Sequence, residues 1–140
     1  MGLIDTSTEF GQRAERRLRE EWLIWLTTVD AEGTPRPIPV WFLWDGSESV
    51  LIYSRPSTPK LRAIASNPRV SLHLDGNGKG GDIVVALGEA GISDDPPAHE
   101  IPDYVEKYRP RLEFNRWTPE EFASMYSVPI RIGLTRIRGH

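Results

Sequence analysis

The 140-residue sequence predicts a mainly β domain, an antiparallel barrel or sandwich with peripheral helices, on three observations. Six segments carry strand patterning, four of them within the first 75 residues. Short turn signatures, Asp30-Ala31-Glu32-Gly33 and Asp45-Gly46, separate the early ones. The helical segments are short gap-fillers and do not alternate with strands as a βαβ wind requires. Two independent cores in a chain of this length would each fall near the size where stability becomes marginal, so one domain over residues 1–140 is expected.

Taken in order, Thr6-Ser7-Thr8-Glu9 reads as a capping box, and Phe10, Ala14 and Leu18 recur at every fourth residue, which predicts an amphipathic helix to about Glu21. Its charged face, including Arg13, Arg17 and Arg19, reads most simply as solvated. Trp22 to Val29 is apolar and β-rich and ends at turn chemistry. A second strand is expected from about Pro35 to Trp44 and a third from Ser49 to Ser54, the three forming a meander. Leu61, Ile64 and Ala65 then sit at helical spacing until Asn67-Pro68 stops them. Val70 to Asp75 alternates as a half-buried strand does, and the glycine-rich Gly76 to Gly81 reads as a mobile loop. Asp82 to Ser93 is a fifth strand with Gly88 as a bulge or close-approach point. Helical stretches follow at about His99 to Tyr108 and Thr118 to Tyr126, the second opened by Thr118 as N-cap and Pro119 at the first helical position. Val128 to about Ile137 closes the chain as a strand, with Ile130, Ile132 and Leu134 on one face.

Composition narrows the function. No apolar run approaches the ~20 residues of a membrane-spanning helix, and the N-terminus lacks the basic-then-apolar pattern of a signal peptide. With no cysteine in the sequence, disulfides and thiolate metal sites are excluded. A cytoplasmic location is the resulting expectation. A net charge of −3 argues against a general nucleic-acid binder, although the 17 Lys and Arg suffice for a local anion site. His73, His99 and His140 share no ligand spacing, so no metal site is expected. Walker and nucleophile-elbow motifs are absent.

Two segments carry chemistry. Ser54-Arg55-Pro56-Ser57-Thr58-Pro59-Lys60 leads into a helix, whose unpaired N–H groups and partial positive charge suit an anion. Arg55 and Lys60 flank that end, and Ser57 and Thr58 add hydroxyl donors for a phosphate. An ordinary capped helix with two solvated cations fits the same spacing. The second segment is Arg36-Pro37-Ile38-Pro39-Val40-Trp41-Phe42, where Pro37 and Pro39 both lack an N–H on one strand margin. Such a margin marks a barrel split, a bulge or a ligand face, or it protects the sheet against edge pairing. Tyr104, Tyr108 and Tyr126 can line a pocket, although Tyr104 and Tyr108, four apart on a helix, read as packing. Tyr126 is the candidate proton donor.

The order Trp25-Leu26-Thr27-Thr28-Val29, Gly33-Thr34-Pro35-Arg36-Pro37-Ile38-Pro39-Val40-Trp41-Phe42, Ser54-Arg55-Pro56, Lys60 and Asn67-Pro68-Arg69-Val70-Ser71-Leu72 resembles the pyridoxamine 5'-phosphate oxidase-like superfamily. More narrowly it resembles the flavin/deazaflavin oxidoreductases of the B type, a branch of F420-dependent enzymes. The resemblance spans Trp22 to about Gly91 and resumes in the closing strand through Arg138 and Gly139.

That resemblance implies a six-stranded antiparallel split β-barrel, a homodimer, and cofactor sites at the dimer interface. It implies that the ring system lies along Pro39, Val40, Trp41 and Phe42, with Arg55, Ser57, Thr58 and Lys60 on the phosphate. Lys79 and Arg131 are then the candidates contributed across the interface. It further implies an F420-dependent oxidoreductase that passes a hydride to a conjugated small-molecule acceptor, with Arg62 and Arg69 extending a basic groove for the cofactor's anionic tail. FMN in place of F420, and a carrier without turnover, are the alternatives. Vitamin salvage is not expected, because the C-terminal motif of the true oxidases is missing.

Overall fold

The computed structural model describes residues 2–140. Helix α1, Glu9–Glu20, leads into β1, Ile24–Val29, and β2, Pro35–Val40. The short β3, Leu43–Trp44, and β4, Ser49–Ser54, precede helix α2, Pro59–Ser66. Strands β5, Arg69–His73, and β6, Val84–Ile92, follow, then a 3-10 turn at Ala98–Glu100. Helices α3, Pro102–Phe114, and α4, Pro119–Met125, and the long β7, Val128–Gly139, complete the chain.

All strands belong to one sheet in the order β2-β1-β5-β6-β7-β4-β3, and every pairing is antiparallel. The two margins, β2 and β3, are consecutive in the chain. In a flat sheet of this size they would stand roughly 29 Å apart at the usual inter-strand spacing. The link from Val40 to Leu43 reaches at most roughly 11 Å. The sheet must therefore roll until its margins nearly meet, which makes a barrel split between β2 and β3.

This corrects two expectations. The strand expected over Pro35 to Trp44 is broken at Trp41-Phe42, which raises the count from six strands to seven. The expected meander does not form either, because β2 pairs with β1 on one margin while β3 pairs with β4 on the other. Alternation alone cannot report a strand that changes margins, since each half keeps its own pattern.

The barrel interior is filled by Leu26, Phe42, Val50, Ile52, Leu72, Ile130 and Ile132, all with 0% exposure. Strand β4 is buried on both faces: Val50 and Ile52 point into the barrel, while Leu51 and Tyr53 join Tyr104, Tyr108, Leu112 and Phe122 beneath the helices. Thus α3 and α4 cover the outside of the sheet beside the split. Between Leu87 and Gly88 the register shifts because β7 carries the extra residue, Thr135, and a side chain at Gly88 would sit 2.5 Å from the carbonyl oxygen of Gly133, so the glycine is a close-approach point opposite a bulge of β7.

Helix boundaries differ from the reading in explicable ways. The N-cap of α1 is Thr8, whose hydroxyl accepts the Gly11 N–H, because Asp5 engages Ser7 and Thr8 in a turn and delays the helix. Its charged face is not simply solvated: Arg13 pairs with Asp82, and Arg17 donates to the carbonyls of Asp75 and Asp82, clamping the base of the glycine-rich loop. Helix α3 begins later than expected and passes through Pro110 to Phe114, held by the buried Leu112. Thr118 is the N-cap of α4 with Pro119 at its first position, as predicted, and Glu121 adds the second half of a capping box. No helix among the described residues is long and apolar enough to cross a membrane.

Candidate functional site

The site grows out of the split. Along β2, Pro35, Pro37 and Pro39 face Val29, Thr27 and Trp25 of β1. Proline has no N–H to give a ladder, so Arg36, Ile38 and Val40 must be the residues that donate to β1. The free margin of β2 consequently offers carbonyls and no N–H, and no further strand can pair there in the ordinary way.

Against that margin lies a cavity of about 470 Å³, a size usual for small-molecule sites. Ile38, Pro39, Val40 and Trp41 form one side, and Arg55, Thr58 and Lys60 form another. The remaining wall is aromatic. Trp41 stacks at 4.5 Å on Tyr108 and at 5.1 Å on Phe122, and Phe122 stacks at 4.8 Å on Tyr126. The guanidinium of Arg55 lies 4.8 Å from the Tyr126 ring centroid and ends the series. Interplanar angles of 5°, 14° and 13° make these rings a stack of nearly parallel plates, of which Trp41, Phe122 and Tyr126 line the cavity while the fully buried Tyr108 backs Trp41.

Lys60 is held differently. Its Nζ donates to Ser54 Oγ at 3.2 Å and lies 3.5 Å from Thr58 Oγ1, with no carboxylate partner among the described residues. Burial alone lowers its pKa, as expected for a cation placed in a partly dry site. Because the Thr58 hydroxyl is turned to Ser54 and Lys60, it does not cap α2, and the N-terminus of that helix is without a side-chain acceptor.

A second cavity of about 420 Å³ adjoins the first and shares Ile38, Thr58 and Lys60 with it. Thr28 lines it at 1% exposure, and its hydroxyl has no hydrogen-bond partner. An orphaned buried hydroxyl beside a cation and an uncapped helix start is the chemistry that a polar anionic group would complete.

The break between β2 and β3 is pinned from α3. The Phe42 N–H donates to Tyr108 Oη at 2.7 Å, and that hydroxyl has the Trp22 carbonyl at 2.8 Å for its own proton. Lys107 Nζ donates to the Phe42 carbonyl at 2.8 Å and sits 3.7 Å from the Phe42 ring centroid. Burial pushes the Lys107 pKa down to about 8, with Glu21 opposing the shift.

Of the residues singled out from the sequence, Pro39, Val40, Trp41, Arg55, Thr58, Lys60 and Tyr126 come together around the first cavity. Phe42 is fully buried in the barrel and lines neither cavity. Ser57 lines neither as well; it sits in the loop with φ 61°, where its carbonyl accepts from Arg62. Lys79, in the exposed glycine-rich loop, and Arg131, on β7, lie outside this lining. Arg131 is bonded to Asp95 and Ser49, and its hydrogen bond holds the Asp95 carboxyl below the usual range. Sequence reasoning missed Thr28, Tyr53, Arg111, Trp117 and Phe122 as lining residues. The one available signal was the density of aromatic residues in the segment that becomes α3 and α4.

The family model for pyridoxamine 5'-phosphate oxidase matches residues 10–126. Among solved structures, the chain is similar to an F420 reductase at 22% identity, with 89% of this chain and 94% of that chain covered and a TM-score of 0.65. It is similar to a conserved hypothetical protein of Mycobacterium tuberculosis at 22% identity, covering 94% and 82% of the two chains with a TM-score of 0.67. It also resembles HutZ, the heme storage protein from Vibrio cholerae, at 14% identity, with 89% and 90% covered and a TM-score of 0.61. No curated protein matches the sequence. The structural likenesses rest on fold, whereas the family match covers most of the sequence, strands β1 to β6 and both cavities included: the chain belongs to the pyridoxamine 5'-phosphate oxidase family.

Proposed function

We propose that the protein is an F420-dependent oxidoreductase, acting as a single split-barrel domain in a homodimer, and that the split holds the cofactor non-covalently. The observation that carries this reading is the pairing of an uncompensated, partly buried Lys60 with the orphaned Thr28 hydroxyl at the junction of two adjoining cavities. Lys60, Thr58 and Arg55 would hold the anionic end, while Pro39, Val40 and Trp41 would face the ring. When bound, a reduced deazaflavin supplies a hydride to a conjugated acceptor. The chain's own contribution is placement: the aromatic wall offers a flat molecule an apolar surface, and the free carbonyls of β2 accept hydrogen bonds from a ring N–H. Tyr126, on the cavity wall, is the proposed proton donor. Of the two cations assigned to a second copy's site, Lys79 is the freer, because Arg131 already pairs with Asp95.

The fold neighbour named as an F420 reductase favours F420 over FMN. Titration of the purified protein with F420 and with FMN tests the choice. Saturable F420 binding with micromolar-scale affinity, and oxidation of reduced F420 by an enone or quinone, is the expected result. Copurification of FMN with no F420 binding would replace this reading by a flavin-dependent one. Binding without turnover over a broad acceptor panel would make the protein a carrier.

A further inference from the structure

The cavity wall holds a further cation that the proposed cofactor contacts do not use. Arg111 lines the same cavity from α3, together with Asn115 one turn on. Its guanidinium lies 5.4 Å from the ring centroid of Trp22 and 4.8 Å from that of Phe114. Both rings are exposed, Trp22 at 41% and Phe114 at 74%. Two aromatic faces against one guanidinium fix its position without consuming its N–H donors.

Those donors are unspent. No carboxylate lies within salt-bridge distance of Arg111 among the described residues, and no side-chain hydrogen bond employs it. The lining as a whole contains Arg55, Lys60 and Arg111 and neither Asp nor Glu, in a protein whose net charge is −3. Such a concentration of positive charge in one hollow of an acidic protein implies anionic ligands.

The cations are separated along the aromatic wall. Arg55 stacks on Tyr126, at one end of the series of plates. Arg111 is one helical turn from Tyr108, at the other end, and shares Trp22 with it: the Tyr108 hydroxyl donates to the Trp22 carbonyl while Arg111 faces the Trp22 ring. The two cations are thus anchored on different aromatic partners, Arg55 on Tyr126 and Arg111 on Trp22 and Phe114.

We propose that Arg111 receives the acid group of the second ligand, so that the acceptor is a flat, largely apolar molecule bearing a carboxylate. This rests on the reading that the Arg55 and Lys60 end belongs to the cofactor. The planar body packs against the apolar, aromatic lining, Arg111 forms charge-assisted hydrogen bonds with the acid, and Asn115 offers an amide beside it. Arg111 is then a specificity-determining residue that selects acids over neutral analogues.

The test uses the full chain and two probes of the same shape, naphthalene-2-carboxylate and naphthalene-2-carboxamide, titrated by quenching of tryptophan fluorescence with and without F420. The acid should bind about tenfold more tightly than the amide, as one charge-assisted contact implies. Arg111→Met should bring that ratio close to one, Arg111→Lys should keep part of it, and Lys60→Met should leave it intact. A wild-type ratio near one, or a ratio lost in Lys60→Met and retained in Arg111→Met, would overturn the proposal. Failure of F420 to bind while the Arg111-dependent ratio persists would instead remove only the cofactor reading. An unchanged urea midpoint for each variant establishes that the fold is intact.

Discussion

Tyr108 Oη accepts the backbone N–H of Phe42 at 2.7 Å, at the point where the chain leaves one margin of the sheet for the other. The N–H belongs to a fully buried residue and has no strand partner, because Phe42 lies between β2 and β3. Replacing Tyr108 by Phe removes the acceptor and leaves that donor buried and unpaired, at a cost of about 1–3 kcal/mol. Urea unfolding should show a lower midpoint with an unchanged slope. Since the Phe ring still backs Trp41, ligand affinity should change far less than stability.

Lys60→Met retains most of the side chain's length and removes its charge. The proposed cofactor should bind at least about tenfold more weakly, the loss expected for one charge-assisted contact. Stability should hold or rise slightly, because burial already disfavours the charged amine in the folded state. Isothermal titration with F420 and a urea curve on the same sample separate these effects. An unchanged dissociation constant would remove Lys60 from the site.

How far the sequence could be read follows from the kind of information each feature carries. Strand alternation at Val70, Leu72 and Ile130, Ile132, Leu134, the Thr118-Pro119 helix start and the Gly88 close approach are local, and each appears where its pattern predicts. The proline-marked margin of β2 was legible because a missing N–H is a property of the residue itself. What local pattern cannot encode is the change of margin at Trp41-Phe42, which depends on a buried tyrosine 66 residues further on. The burial of Phe42 and the cavity role of Arg111 were hidden for the same reason: both are fixed by α3.

The pH dependence of stability should carry the signature of Lys107. Its folded pKa is about 8 against 10.5 for a free lysine, so between those values the unfolded chain binds more protons. Stability must therefore increase as pH rises from about 8 towards 10.5, as the folded-state amine sheds its proton. Tyr53 works against this at higher pH: burial, then the nearby Asp95, pushes its pKa from 10 up to about 12, and the stability it contributes is lost as pH climbs above 10. Urea midpoints measured from pH 7 to 11 should rise and then fall. In Lys107→Met the rise should shrink to the smaller share of the same sign due to Lys60.

Gly88→Ala probes the contact between β6 and β7. The added Cβ would meet the Gly133 carbonyl oxygen at 2.5 Å, a backbone atom that cannot swing aside. Overpacking of this kind costs roughly 1–3 kcal/mol. Gly91→Ala, where nothing lies within 4 Å of the new atom, is the control. Thermal unfolding should show a clear loss for the first variant and little change for the second.

Tyr126 offers two separable contributions, a ring and a hydroxyl. The ring is the plate between Phe122 and the Arg55 guanidinium, so it positions a cation of the proposed site. Tyr126→Phe preserves that plate; the dissociation constant for F420 should stay within about twofold of wild type, an energy difference well below 1 kcal/mol. If the hydroxyl delivers the proton that accompanies hydride transfer, turnover in this variant should drop about a hundredfold, the lower end of what a positioned general acid contributes. Tyr126→Leu removes the plate as well, and affinity should then fall together with turnover because Arg55 loses its support. Steady-state assays with reduced F420 and an enone, set beside the binding titration, distinguish the two variants. Full turnover in Tyr126→Phe would assign protonation of the product to solvent and leave Tyr126 a positioning role alone.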